Sequence, residues 1–311
     1  MFPTWTILGL GSVVLAVGGT LFDKYLLSKY FGDSDQEAGP GALLIFSSYF
    51  SVVIIIGLLL YGYSTLVFES TAVILALTAG VLNGTWILLY LQALVRSDVS
   101  KTAPILQTIP AFGLVLAYLT LGETLSAGQL TAIVILLFGT LVLLHEKRGG
   151  VFNLDLKTLA LMLSSAFFVA LSQTMFKVAT TTSNYLTATT LVWVGFLLFG
   201  LLLHLGVRSY REQFSHMFSQ RVKSVFSLNA GNEIFDSVGE LLLFAAIILG
   251  PLALVQSLNV YEPVLIFVVS IALTLLYPKY FSESLTQYSL IQKCIGILIV
   301  LLGSVVLYTN L

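Results

Sequence analysis

The stretches TLFDKYLL (20–27) and TMFKVATT (174–181) set Lys24 and Lys177 at the ends of two apolar runs, 153 residues apart. Reading outward, the same offset pairs Pro110 in TIPAFG with Pro263 in YEPVLIF. It also pairs Asn83 with Asp236, Leu89 with Leu242 and Ala93 with Ala246. LGETLS at 121–126 and FSESLT at 281–286 realign after a short insertion. The chain therefore reads as two copies, over 1–150 and 151–311.

Apolar runs of about 20 residues without period-2 alternation predict membrane-spanning helices. Ten are expected, over 5–27, 41–62, 70–95, 100–121, 127–145, 157–179, 186–207, 225–249, 252–276 and 287–309. Five spans per copy make the second copy enter the membrane from the opposite side. The expected fold is an all-α membrane protein of ten transmembrane helices arranged as two inverted five-helix repeats. In such plans the binding site lies at the repeat interface near the bilayer midplane. The first run has no basic leader or small-residue cleavage site, so it reads as a retained helix. Arg208–Ser224 is a basic connection expected to lie along the membrane surface.

Composition agrees and removes other classes. Of 311 residues, 58% are hydrophobic and 9% charged, with a mean hydropathy of +0.99. A soluble chain carries about 25% charged residues. A net charge of −1 without a basic tract argues against nucleic acid as a partner. Cys294 is the single cysteine, and His145, His204 and His216 lack metal-ligand spacing. No phosphate-binding glycine loop and no nucleophile elbow is present, so neither an ATP-driven pump nor an enzyme is expected, and no cofactor is implied.

Lysine and arginine fall on one side. Twelve sit in the loops after helices one, three, five, seven and nine, and at most Lys177 lies opposite. The positive-inside rule puts those loops in the cytoplasm and both termini outside a plasma (inner) membrane.

The sharpest local feature is SLNAGNEIFDSVGELLLF (227–244). Asn229, Glu233, Asp236 and Glu240 recur at spacings of four, three and four, which is one helical face. A carboxylate at the centre of a span costs about 2.5–3.5 kcal/mol to insert. Such a stripe should face a wet cavity or a partner. It could bind a substrate or a coupling proton or cation; the plainer alternative is a structural network with Lys177 or hydroxyl groups. Asp236 and Glu240 are the leading candidates.

Glu262 and Pro263 fall mid-way along the ninth span, where proline cannot complete the helix ladder. A kink there could line the cavity, mirrored by Pro110, or merely shape packing. Asn259 and Gln256 could add hydrogen bonds. Asn83 and Gln107 could form the opposite wall, with Trp86 and Tyr90 as an aromatic surface; isolated polar residues more often join helices. Lys24 and Lys177 could meet an anionic ligand group, pair with the acids, or snorkel to the interface. Gly80 and Gly84 read as a close helix contact, and Glu123 as helix-start electrostatics.

Taken together, the lysine after each first helix, Pro110 and Pro263, and LGETLS leading to Gly139 as EP leads through SESL to Gly303, resemble two EamA domains. These belong to the ten-helix drug/metabolite transporter superfamily. The resemblance spans nearly the whole chain. It implies two bundles around a central cavity, alternating access without ATP, export more than import, and termini inside, against the charge count. The first half departs by having Ile109 where the second has Glu262.

The expected function is a secondary active transporter of a small polar or amphipathic metabolite, with an amine or amino acid favoured by the acidic face. Proton or cation coupling and a homodimer are both compatible with it. The rival substrate is a phosphorylated sugar or nucleotide held by Lys24 and Lys177. A non-transporting membrane receptor or scaffold is the alternative of a different class.

Overall fold

The computed structural model describes residues 3–30, 40–94, 96, 105–144, 155–220, 222–276 and 287–310. Among them there are helices and no strands. The first half holds α1 (Thr4–Tyr30), α2 (Pro40–Gly62), α3 (Ser70–Leu94), α4 (Ile109–Leu121) and α5 (Ala127–Leu144). The second holds α6 (Leu156–Ala179), α7 (Tyr185–Gly206), α8 (Arg208–Gln220), α9 (Val222–Leu249), α10 (Leu252–Ser257), α11 (Tyr261–Leu276) and α12 (Gln287–Thr309).

Six helical stretches among the described residues are long and apolar enough to cross a membrane: Gly41–Thr65, Ser70–Ala93, Leu156–Ala179, Tyr185–Gly206, Leu252–Val269 and Ile291–Thr309. Thr4–Thr20, Ile109–Leu121 and Ala127–Val142 are shorter apolar helices. The 28 residues of α9 extend about 42 Å at 1.5 Å per residue, enough to span, but they carry three carboxylates.

Local chemistry sets several ends. Asp155 and Asn184 cap α6 and α7, accepting from the backbone N–H groups of Thr158 (3.0 Å) and Thr187 (2.9 Å). Gly122 ends α4 at φ 65°, a left-handed conformation that glycine adopts without steric cost.

The basic Arg208–Ser224 connection is largely helical, with α8 filling Arg208–Gln220. Its sequence, RSYREQFSHMFSQ, turns aromatic residues inward: Phe214 packs on Tyr49 (5.6 Å between ring centroids) and His204 (5.4 Å). Polar composition hid that helix from a search for apolar runs. The ninth span, helical through Leu252–Val269, tightens ahead of Pro263. A 3-10 turn at Leu258–Val260 separates α10 from α11, so Pro263 stands in the first turn of α11, where its missing N–H costs nothing. Pro110 likewise stands at the start of α4, after a turn at 107–108.

The core forms where helices of the two halves meet. The α3 helix packs on α6 and α7, α1 on α9 and α11, α4 on α6 and α10, and α5 on α12. At the α3–α7 crossing, a Cβ on Gly80 would come within 2.0 Å of the Val192 carbonyl oxygen, and one on Gly195 within 2.2 Å of the Leu77 carbonyl oxygen. Only glycine permits that backbone approach. Phe176 and Phe244 stack at 4.2 Å between α6 and α9.

Candidate functional site

The acids of α9 divide among three neighbouring helices. Glu240 turns to α3, where its Oε1 accepts a hydrogen bond from Asn83 Nδ2 at 2.8 Å. Asn83 Oδ1 in turn accepts from the Trp86 indole N–H at 2.6 Å. Asn83 is buried, and the Trp86 ring lies 6.1 Å from Tyr90. Glu233 turns to α2, accepting from the Ser47 hydroxyl. Asn229 is buried on the same helix.

Asp236 turns to α1. A Cβ on Gly19 would come within 2.1 Å of Asp236 Oδ1, so the carboxylate sits in the space the glycine leaves. Asn232 Nδ2 reaches its Oδ2 at 3.4 Å. The next residue of α1, Thr20, donates to Glu262 Oε1 at 3.1 Å. Carboxylates from α9 and α11 thus meet at consecutive residues of α1. Glu262 also occupies the first turn of α11, where the helix dipole favours a negative charge.

Thr20, Gly19 and Ser47 were missed in the sequence. Thr20 begins the TLFDKYLL motif itself, but a lone threonine in an apolar run carries no signal of what faces it.

Other candidates lie elsewhere. Gln107 sits in the turn before α4 and Asn259 in the 3-10 turn before α11, both half-buried. Pro110 is buried and Pro263 half-buried. Gln256 is fully buried and donates from Nε2 to Gln173 Oε1 at 2.8 Å.

Lys177, at the end of α6, donates to the Glu123 carboxylate and to the Gly250 carbonyl oxygen at 2.6 Å. Glu123 Oε2 accepts from the Leu252 N–H at 2.8 Å, so it caps α10 of the second half and not the helix that follows it. Lys24 belongs to α1, and its side chain falls outside the described part of the structure. FSESLT (281–286) also lies outside the described residues.

Residues 3–145 match the model of the EamA-like transporter family. The first half of the chain is therefore an EamA domain. A solved crystal structure matches over 97% of this chain and 96% of its own, with a TM-score of 0.69 and 14% sequence identity, which is a likeness of fold. No curated protein matches the chain. Together with this match, six helical stretches among the described residues are long and apolar enough to cross a membrane.

Proposed function

We propose that this chain, built on an EamA domain, is a secondary active transporter that carries a small cationic or zwitterionic metabolite, an amine or an amino acid, by alternating access. Its binding surface is the inner face of α9 with α1 and α3. The observation that carries this reading is the company its carboxylates keep. Glu240 and Glu262 hydrogen-bond to a neutral amide and a neutral hydroxyl, and among the described residues no cation stands beside either. A carboxylate at membrane depth is costly unless an opposite charge answers it. A ligand ammonium or a coupling proton supplies that charge. Asn83 orients Glu240, and the Trp86 ring offers an apolar and cation-attracting surface beside it.

The contact pattern supports ten spans in two inverted repeats, with α10 and α11 together as the ninth and α8 outside the count. α3 on α6 is answered by α9 on α1, and α4 on α6 by α11 on α1. The pairs α2–α7 and α5–α12 are each their own counterpart. Turns ahead of Pro110 and Pro263 stand at matching points, as in transporters whose discontinuous helices flank a midplane site. The positive-inside count supports a plasma membrane orientation with both termini outside. The phosphate reading is weaker, because Lys177 is committed to Glu123 and Gly250.

The test is thermal unfolding of the purified protein against a metabolite panel at pH 6 and pH 8, beside Asp236→Asn and Glu240→Gln. A ligand that binds the folded state raises its melting temperature by mass action. Amines or amino acids should stabilise the wild type and not the variants. Stabilisation by phosphorylated compounds alone, unchanged in both variants, would replace this reading with the lysine one.

A further inference from the structure

We infer that Lys177 and Glu123 form a latch that holds one end of the helix bundle shut and that parts once in each transport cycle. This rests on the alternating-access reading above.

Two links between helices and the end of a third helix converge on this pair. Glu123 belongs to the α4–α5 link of the first half. Lys177 belongs to the last turn of α6 in the second. The Lys177 Nζ also donates to the carbonyl oxygen that ends α9, and the Glu123 carboxylate takes the first N–H of α10. A cation at a helix C-terminus and an anion at a helix N-terminus each complement the dipole they face. One ion pair thereby ties the first half to two chain ends of the second.

The same end is laced in a second place. Asn184 Nδ2 donates to the Thr65 carbonyl oxygen at 2.6 Å, and the Val67 N–H donates to Thr187 Oγ1 at 2.9 Å. These bonds also cross between the halves. The acids of α9 that face α1 and α3 lie further along the helices, away from this closed end.

The pair stands beside two interruptions of regular helix. Glu123 follows Gly122, whose φ of 65° ends α4. Its other partner, α10, has six residues and is cut from α11 by a 3-10 turn. The Lys177 and Glu123 side chains are 13% and 21% exposed. They are shielded enough to attract strongly and close enough to water to be rehydrated when parted.

The experiment uses full-length protein in lipid nanodiscs, in a Cys294→Ser background, with spin labels at Thr124→Cys and Thr181→Cys. Both positions are exposed, one beside each latch residue. The distance distribution should be narrow with the pair intact and with Lys177→Arg. Lys177→Met and Glu123→Gln should each add a longer-distance population of about a tenth or more. An unchanged distribution in both, with only a lowered melting temperature, would make the pair a fixed brace and overturn the latch.

Should neither neutralised variant fold, hydrogen exchange on the wild type decides. Peptides around Leu252 exchange well ahead of the Gly80–Gly195 crossing if the latch opens, and only together with it if the pair is fixed. Neither measurement needs a substrate, so the latch can fail while the substrate reading stands, and the reverse.

Discussion

Two polar regions cross this apolar bundle, and they are satisfied in different ways. Along α6, Gln173 bonds Gln256, and one turn later Lys177 bonds Glu123 and Gly250. There charge meets charge. Along α9 the carboxylates of Glu240 and Glu233 meet an amide and a hydroxyl, and Asp236 fits into the hollow at Gly19. Around Glu240 and Glu262 the hydrogen bonds are made but no cation answers them among the described residues. A closed polar network stabilises an arrangement. In the proposed function, the open one is where a ligand ammonium or a proton supplies the missing charge.

The comparison is anchored on the α3–α7 crossing, where disruption should cost most. Gly80→Leu forces a side chain into the Val192 carbonyl, and no rotamer relieves a clash with backbone. Detergent-extracted Gly80→Leu should run as aggregate in size-exclusion chromatography where the wild type runs as a single peak. A normal peak would mean the two helices can part without loss.

Glu123→Gln leaves a shielded lysine without its counter-charge, which should cost about 2 kcal/mol, below the 3–5 kcal/mol of a fully buried pair. Glu240→Gln keeps an acceptor for Asn83 and removes a charge from the membrane, so stability should hold or rise. Melting temperatures of the two variants should therefore move in opposite directions, or only the first should fall. A fall in Glu240→Gln as large as in Glu123→Gln would erase the distinction.

A smaller effect is expected at Trp86. Trp86→Phe keeps a ring and removes the N–H that orients Asn83, a loss of about 1 kcal/mol, or roughly fivefold in ligand affinity. Titration of the stabilising amine into that variant measures it, and an unchanged affinity would detach Trp86 from the site.

The smallest effect is at the edge. Glu69 immediately precedes α3, where the backbone N–H groups of Ala72 and Thr71 hold its carboxyl below the usual carboxylate range. Its contribution to stability is present above that range and fades as pH falls through its lowered value. Thermal melts of wild type and Glu69→Gln should differ at pH 7 and converge in acid. A difference that persists in acid would exclude this origin.

Much of the architecture was legible because bilayer thickness forces long apolar runs, and most helix positions followed from them to within a few residues; the fourth, expected from 100, begins at Ile109. What escaped was amphipathic or interrupted. The α8 helix is polar in composition, and the 3-10 turn at 258–260 lies inside a run that is apolar throughout. The α9 stripe was legible from spacing alone, since three acids in a span are costly wherever they point. Their partners were not. Serine, threonine and glycine are common in membrane helices, and nothing in Gly19 or Thr20 announces the carboxylates they face. The Lys177–Glu123 pair escaped because the two residues lie 54 positions apart and each had a plainer local explanation.

The most direct test of the account is counterflow of a radiolabelled amine, chosen from the stabilising ligands, into proteoliposomes holding wild type or Glu240→Gln. The wild type should accumulate label above empty vesicles, and Glu240→Gln should not, although it folds and melts like the wild type. Equal accumulation by both would contradict the assignment of the α9 acids to the transported cation.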